Sequence, residues 1–221
     1  MIRFDDRSDA GRQLADALLA LNIDDAVVLA LPRGGVPVAI EVARALRAPL
    51  DVLLVRKIGA PGQRELAVAA VAEGAGDDLV LDAETMAIAG ASRRYVEREA
   101  VYERAEIARR RDAYRGGRAP LPVEGKTAVV VDDGIATGTT VRAALQALRR
   151  RHPARLVLAV PVAPPVTVAL LRPLVDDLVC LRAPPEFHAV GQHYADFGQV
   201  SDEEVIAALQ RVASATRTPA V

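Results

Sequence analysis

Aromatic side chains make up 3% of this sequence and tryptophan is absent. The chain is nonetheless 51% hydrophobic, so its core must be built from Val, Leu, Ala and Ile. That favours strands covered by helices over an aromatic-rich β-sandwich. Cysteine occurs once, as Cys180, which rules out an intrachain disulfide. It stands in the apolar run Leu178-Val179-Cys180-Leu181 and reads as a small buried hydrophobe. The sequence shows no neighbour that would activate it as a nucleophile. Neither sign of charge is in excess: the formal net charge is -1, so electrostatics give no reason to expect nucleic acid or an anionic membrane as partner. No stretch approaches the ~18 uncharged apolar residues of a membrane helix, and residues 1–7 carry no apolar leader segment. The expected location is therefore the cytoplasm. Lysine is also scarce: of 28 basic residues, only Lys57 and Lys126 are lysine, which singles these two out.

The 221 residues suit one domain, or one domain with a small lid. Apolar residues at helical spacing mark a helix over residues 10–21. The continuous apolar run Ala26-Val27-Val28-Leu29-Ala30-Leu31 is a buried-type strand that stops at Pro32-Arg33-Gly34-Gly35. Helical spacing returns over residues 36–46, and a second such strand, residues 50–55, ends at Arg56-Lys57. Strand, helix and strand with uniformly apolar strands form a βαβ unit, whose strands are usually parallel and covered on both faces. Residues 58–64, with Gly59, Pro61 and Gly62, read as a loop. Residues 65–73 suit strand or helix and are taken as strand; residues 78–82 read as a short strand.

Residues 83–115 are helical, with a break near Gly90 and Ser92. Their second half is so charged that it reads as a solvated helix laced with pairs such as Glu106–Arg110. A dimer contact through Tyr95, Tyr102 and Ile107 is the alternative. Strands follow at 127–131, 155–160 and 177–181, with helices at 140–151 and after Pro164-Pro165. Ser201-Asp202-Glu203-Glu204 opens a C-terminal helix ending near 214, and residues 215–221 read as frayed. Alternating strands and helices predict a doubly wound, mostly parallel α/β sheet, and ligands of such sheets lie outside the strand carboxyl ends.

One of those ends is unusual. Val129-Val130-Val131 leads into Asp132-Asp133, then Gly134-Ile135-Ala136-Thr137-Gly138-Thr139-Thr140 and a helix. Two acidic residues at a buried strand end need partners. The small residues behind them let backbone N–H groups curl around an anion, aided by a helix N-terminus. Acceptors for a diol thus stand a few residues before a cradle for phosphate, the complement of a sugar phosphate. Other phosphate motifs fail. A Walker A loop would need Gly where Pro120 stands before Gly125-Lys126-Thr127, and no G-x-G-x-x-G is present. A haloacid-dehalogenase pair would be spaced D-x-D. No His/Cys/Asp cluster has zinc spacing.

Residues 129–140 resemble the 5-phosphoribosyl 1-pyrophosphate (PRPP) signature of type I phosphoribosyltransferases. The wider chain is similar to a bacterial branch of that family through Leu31-Pro32-Arg33-Gly34-Gly35-Val36-Pro37, Val55-Arg56-Lys57-Ile58-Gly59-Ala60-Pro61 and residues 187–197. The resemblance implies one domain over 1–221. Its core would be 24–82 and 120–182, with a charged helical insertion at 83–115 and a small hood from 183–200 and the N-terminus. It implies that Asp132 and Asp133 hold the ribose hydroxyls and that residues 136–140 hold the 5-phosphate. Arg33, Gly34 and Gly35 would form the pyrophosphate loop, with a non-proline cis peptide expected at Arg33–Gly34.

Arg56 and Lys57 would stand on a loop that closes over the site and keeps water from the anomeric carbon. Mg²⁺ would arrive with PRPP rather than in a protein cage. The acceptor would be a small nitrogenous base, met by Phe187, Val190 and Tyr194. Hypoxanthine-type relatives carry an Asp base where this chain has Ala136, so Glu65 or Glu73 becomes the expected proton-transfer group. His188 and His193 read as surface histidines. The catalytic assignment is Lys57, Arg33 and Glu65, and a homodimer is expected. A non-catalytic PRPP or nucleotide sensor on the same fold, and a hydrolase or phosphorylase of phosphoribosyl compounds, are the alternatives.

Overall fold

The computed structural model describes residues 3–73 and 78–215, the side chains of Glu65, Asp78 and residues 213–215 excepted. The tail beyond 215, read as frayed, lies outside it. Five strands form a parallel sheet in the order β2-β1-β6-β7-β8. They are β1 (Ala26–Ala30), β2 (Leu50–Val52), β6 (Thr127–Val131), β7 (Arg155–Val162) and β8 (Asp177–Arg182). Every residue of β1 and β6 is buried, which is why these strands read as unbroken apolar runs.

The period of two sorts them cleanly. Val28, Ala30, Val129, Val131, Val157 and Ala159 join one core with Leu14, Leu18, Val38 and Val42. Their neighbours Val27, Leu29, Ala128, Val130, Leu156 and Leu158 join the other with Val141, Leu145 and Leu148. The first layer comprises α1 (Arg7–Leu19), α2 (Gly35–Leu46) and α7 (Asp202–Ala215); the second comprises α5 (Thr139–Arg149) and α6 (Pro165–Leu171). The doubly wound reading is correct.

A separate antiparallel sheet, β3-β4-β5, is built from β3 (Val55–Ala60), β4 (Gln63–Ala72) and β5 (Asp78–Leu81). Here the structure corrects the expected loop at 58–64. Ile58 and Ala60 are both 2% exposed, so their burial extends the strand, and the Pro/Gly signal shrinks to a tight turn at Pro61-Gly62. Arg56 and Lys57 therefore lie inside β3 rather than at a strand end.

The helical stretch at 83–115 is α3 (Ala83–Ile88) and α4 (Arg93–Arg115), broken where Gly90 and Ser92 indicate. Glu106 pairs with Arg110 at 2.7 Å, as expected of a solvated face. The helix is not solvated all round: Val96, Ala100, Ile107, Tyr114 and Arg115 are buried. Ile107 and Tyr95 are thus engaged within the chain, Tyr95 donating its hydroxyl to the carbonyl of Gly59 at 3.0 Å. Ser201 caps α7 reciprocally with Glu204, the capping box its sequence predicts. Among the described residues no helix is long and apolar enough to cross a membrane.

Candidate functional site

Because β1 and β6 are neighbours in register, from Ala26 beside Thr127 to Ala30 beside Val131, their carboxyl ends deliver two loops to one place. A Cβ on Gly34 would stand 2.0 Å from Oδ2 of Asp133, and one on Gly35 would stand 2.8 Å from the carbonyl of Val131 and 3.0 Å from Cα of Asp132. Any larger side chain would displace the acidic pair, so the two glycines are the condition for the contact. The non-proline cis peptide joins Pro32 to Arg33, one bond earlier than the expected Arg33–Gly34.

The second loop is held from below. Ile135 is buried and its N–H donates to the carbonyl of Val162 at 2.9 Å, so only its backbone can face a ligand. The Thr167 hydroxyl donates to the carbonyl of Ala136 at 2.7 Å. Gly138 caps α5 at φ 78°, a left-handed conformation that costs other residues ~1–2 kcal/mol. Ala136 and Thr137 are exposed, and Thr137 and Thr139 bring their hydroxyl oxygens to 3.5 Å of each other. Thr139 and Thr140 form the first turn of α5, where backbone N–H groups have no helical partner.

Asp132 and Asp133 are poorly compensated. Asp132 accepts the N–H of Asp133 at 2.9 Å. Asp133 receives Nε of Arg7 at 2.8 Å, and its side chain is 13% exposed. Burial, with the neighbouring Asp133 charge behind it, pushes the Asp132 carboxyl well above the usual aspartate range. Burial also raises Asp133, with Arg7 opposing. Together these give two carboxylates whose lone pairs the fold leaves largely unused, beside a row of N–H and hydroxyl donors.

Other expected residues are placed as follows. Arg33 turns to the first turn of α7, Nη1 lying 3.7 Å from Oδ1 of Asp202. Asp202 also accepts the hydroxyl of Tyr114, which burial pushes up to about 12. Arg56 is directed to α4, with Nε 2.7 Å from Glu103, rather than to the Asp132 loop. Lys57 is exposed on β3. Glu65 lies on β4, its side chain outside the described part. Glu73, the other expected proton-transfer group, is held in an ion pair with Arg115, its side chain 10% exposed.

Val190 touches the loop, its Cγ1 lying 2.5 Å from where a Cβ of Gly134 would be. Tyr194 is 2% exposed, packed on Phe4 at 5.4 Å, and donates its hydroxyl to the carbonyl of Asp133. It has no open face for a ligand ring, which corrects its assignment to the acceptor. Phe187 is half-buried and stacks on His193 at 5.1 Å. His188 is exposed as expected, but His193 is 2% exposed. Its Nε2 meets no polar partner among the described residues, and burial lowers its pKa. The sequence alone singles out neither Arg7 nor Asp202 as a site residue. Arg7 sits 126 positions from the carboxylate it meets, and only the fold reveals it. Asp202 is legible solely as an acidic first-turn residue. Cys180 is part-buried and donates to the carbonyl of Arg182 at 3.2 Å; burial pushes its thiol up.

Loops of this kind at the carboxyl ends of adjacent parallel strands define a doubly wound α/β protein of the ligand-binding sort. The family model for the phosphoribosyl transferase domain matches residues 7–194, and the chain belongs to that family. It is 50% identical over 216 residues to proteins from two strains of Mycobacterium tuberculosis whose names class them, provisionally, as phosphoribosyl transferases. That match covers 94% of this chain and 46% of each relative, so the chain spans about half their length. The crystal structure of TT1426 from Thermus thermophilus superposes with a TM-score of 0.84 at 47% identity, covering 95% of this chain and 99% of that one.

Proposed function

We propose that this chain transfers the 5-phosphoribosyl group of PRPP to a small nitrogenous acceptor and releases pyrophosphate. The observation that carries this reading is the acidic pair of Asp132 and Asp133, closed on one side by Gly34 and Gly35 and continued on the other by the donor row from Ala136 to Thr140. The relatives' names support it at the level of the family.

In this reading the ribose 2- and 3-hydroxyls donate to Asp132 and Asp133. The 5-phosphate takes the N–H groups and hydroxyls of Ala136, Thr137, Gly138, Thr139 and Thr140, with Gly134 and Ile135 shaping the turn. Arg33, Gly34 and Gly35 receive the pyrophosphate, and Lys57 approaches it from β3. Bond formation from the acceptor nitrogen to the anomeric carbon accompanies cleavage of the bond from that carbon to the pyrophosphate oxygen. The displaced N–H proton leaves to a base or water. Phe187 and Val190 line the acceptor side.

No group of three or more His, Cys, Asp or Glu residues able to cage a cation occurs among the described residues. In this reading Mg²⁺ would be carried by the oxygens of PRPP and would supply charge neutralisation at the leaving group. A homodimer belongs to the same proposal, with Tyr102 of α4 67% exposed.

The test is pyrophosphate release from Mg²⁺-PRPP across a panel of nitrogenous bases, wild type against Lys57→Ala. Release with at least one base, and its fall by roughly two orders of magnitude in the variant, is expected. Tight PRPP binding with no turnover on any base would instead favour a PRPP-binding regulator. The observation pointing that way is that Arg33 and Arg56 already face Asp202 and Glu103. Turnover with water or phosphate as acceptor would mark a hydrolase or phosphorylase.

A further inference from the structure

One guanidinium outside both loops holds the acidic pair to the C-terminal segment. Arg7 opens α1, whose N-cap Asp6 accepts the N–H of Asp9 at 2.7 Å. Its side chain is 12% exposed. Nε donates to Oδ2 of Asp133 at 2.8 Å, and Nη1 donates to the carbonyl of Gly198, also at 2.8 Å. The guanidinium carbon lies 3.8 Å from the ring centroid of Phe197. That ring lies 5.0 Å from Tyr194, whose hydroxyl binds the carbonyl of the same Asp133. The strip is pinned along its length: Phe4 donates to the carbonyl of His193, and Ala195 and Asp196 donate to the carbonyls of Phe4 and Asp5. Asp133 is thus gripped by its carboxylate from α1 and by its carbonyl from residue 194.

We infer that Arg7 is a positioning residue: it fixes the Asp133 carboxylate for the ribose and ties that carboxylate to residues 194–198, so that the donor loop and the acceptor-side segment move as one. This rests on the reading that Asp133 receives the ribose of PRPP. Arginine suits the task because its planar fork donates in two directions while its face stacks on a ring. Lysine offers a charge without the fork.

The test compares Mg²⁺-PRPP and Mg²⁺-pyrophosphate binding by calorimetry in wild type, Arg7→Gln and Arg7→Lys, with Tm recorded for each. Pyrophosphate lacks the ribose and needs the Arg33 loop and Lys57, not the Asp133 carboxylate. The expected result is roughly tenfold or greater loss of PRPP affinity in Arg7→Gln, partial recovery in Arg7→Lys, and pyrophosphate affinity within about twofold of wild type in both. Equal PRPP affinity in wild type and Arg7→Gln would overturn the inference alone. Parallel loss of both ligands in both variants would also overturn it, since that is what loss of folding would do. Wild type that binds pyrophosphate but not PRPP would overturn the functional reading and this inference with it.

Discussion

Two acidic clusters among the described residues are withdrawn from water, one buried and one half-buried, and they are built in opposite ways. In the first, Asp51 and Glu73 flank Arg115, whose side chain is 4% exposed. Nε of Arg115 reaches both oxygens of Asp51, at 2.8 and 3.1 Å. Its Nη2 donates to the carbonyl of Val52 at 2.8 Å. Asp51 is completed by the N–H groups of Val52 and Leu121. In the second cluster, Asp132 and Asp133 share a single guanidinium, and it touches only Asp133. A buried ion pair is costly to break, because removing one partner strands the other; in this cluster Oε2 of Glu73 is the one buried oxygen without a hydrogen-bond partner among the described residues. A half-buried carboxylate with few partners carries a standing cost that a ligand can relieve. The first cluster ties α4 to β2 and to Glu73, just past the end of β4; the second is the one that the proposed function assigns to the ribose.

The largest effect should come from breaking the compensated cluster. Arg115→Met leaves two carboxylates without their cation, and about 3–5 kcal/mol of stability should be lost. Thermal denaturation should show Tm lower by roughly 10 °C. A neutral result would mean that the two clusters do not differ as argued. Next comes Asp132→Asn, which should stabilise the protein by ~1 kcal/mol at neutral pH, raising Tm by about 2–4 °C.

The sign follows from linkage. A carboxyl raised above 3.8 in the folded state takes up a proton on folding. Folding stability therefore falls as pH rises from 3.8 through the raised value, and stays low above it. The gain in Asp132→Asn should accordingly shrink as pH is lowered toward 3.8. A loss of stability at neutral pH would show that Asp132 is compensated after all.

The smallest effect belongs to the exposed face of α4. Hydrogen bonds from Arg109, and next from Arg110, hold Glu106 down at about 2 despite some burial, but water and salt screen these pairs. Glu106→Gln should cost no more than ~0.5 kcal/mol at neutral pH. What it does cost is stability present above 4.5 and lost as pH falls through about 2. A Tm drop like that of Arg115→Met would erase the distinction between buried and solvated pairs.

Sequence and structure agree best where the determinants are contiguous. The apolar runs of β1 and β6, the break before Ser92 and the Ser201–Glu204 capping box are local patterns, and all were legible. So was the Asp132–Thr140 loop, because acidic pair, small residues and helix start follow one another in nine positions. Legibility fails where contact is made across the fold. Arg7 reads as one charge among several near the N-terminus, and nothing in its neighbours reveals Asp133. Arg115 closes a helix full of arginines and looks as solvated as the rest, yet is buried. Tyr194 stands in a polar, aromatic segment that suggests a ring platform, but its ring packs on Phe4 and its hydroxyl serves the loop. At 58–64 the glycines and proline read as a whole loop because a two-residue turn leaves the same marks as a longer one. Burial of Ile58 and Ala60, which decides the matter, is a property of the fold.

The most direct test of the contrast between the clusters is calorimetric titration of Mg²⁺-PRPP into wild type and into the Asp132→Asn/Asp133→Asn double variant, each first shown to be folded. If the under-compensated pair waits for the ribose, wild type binds and the double variant loses roughly 100-fold or more in affinity, on the scale of two hydrogen bonds to charged groups. Equal affinity in the two proteins would contradict the account.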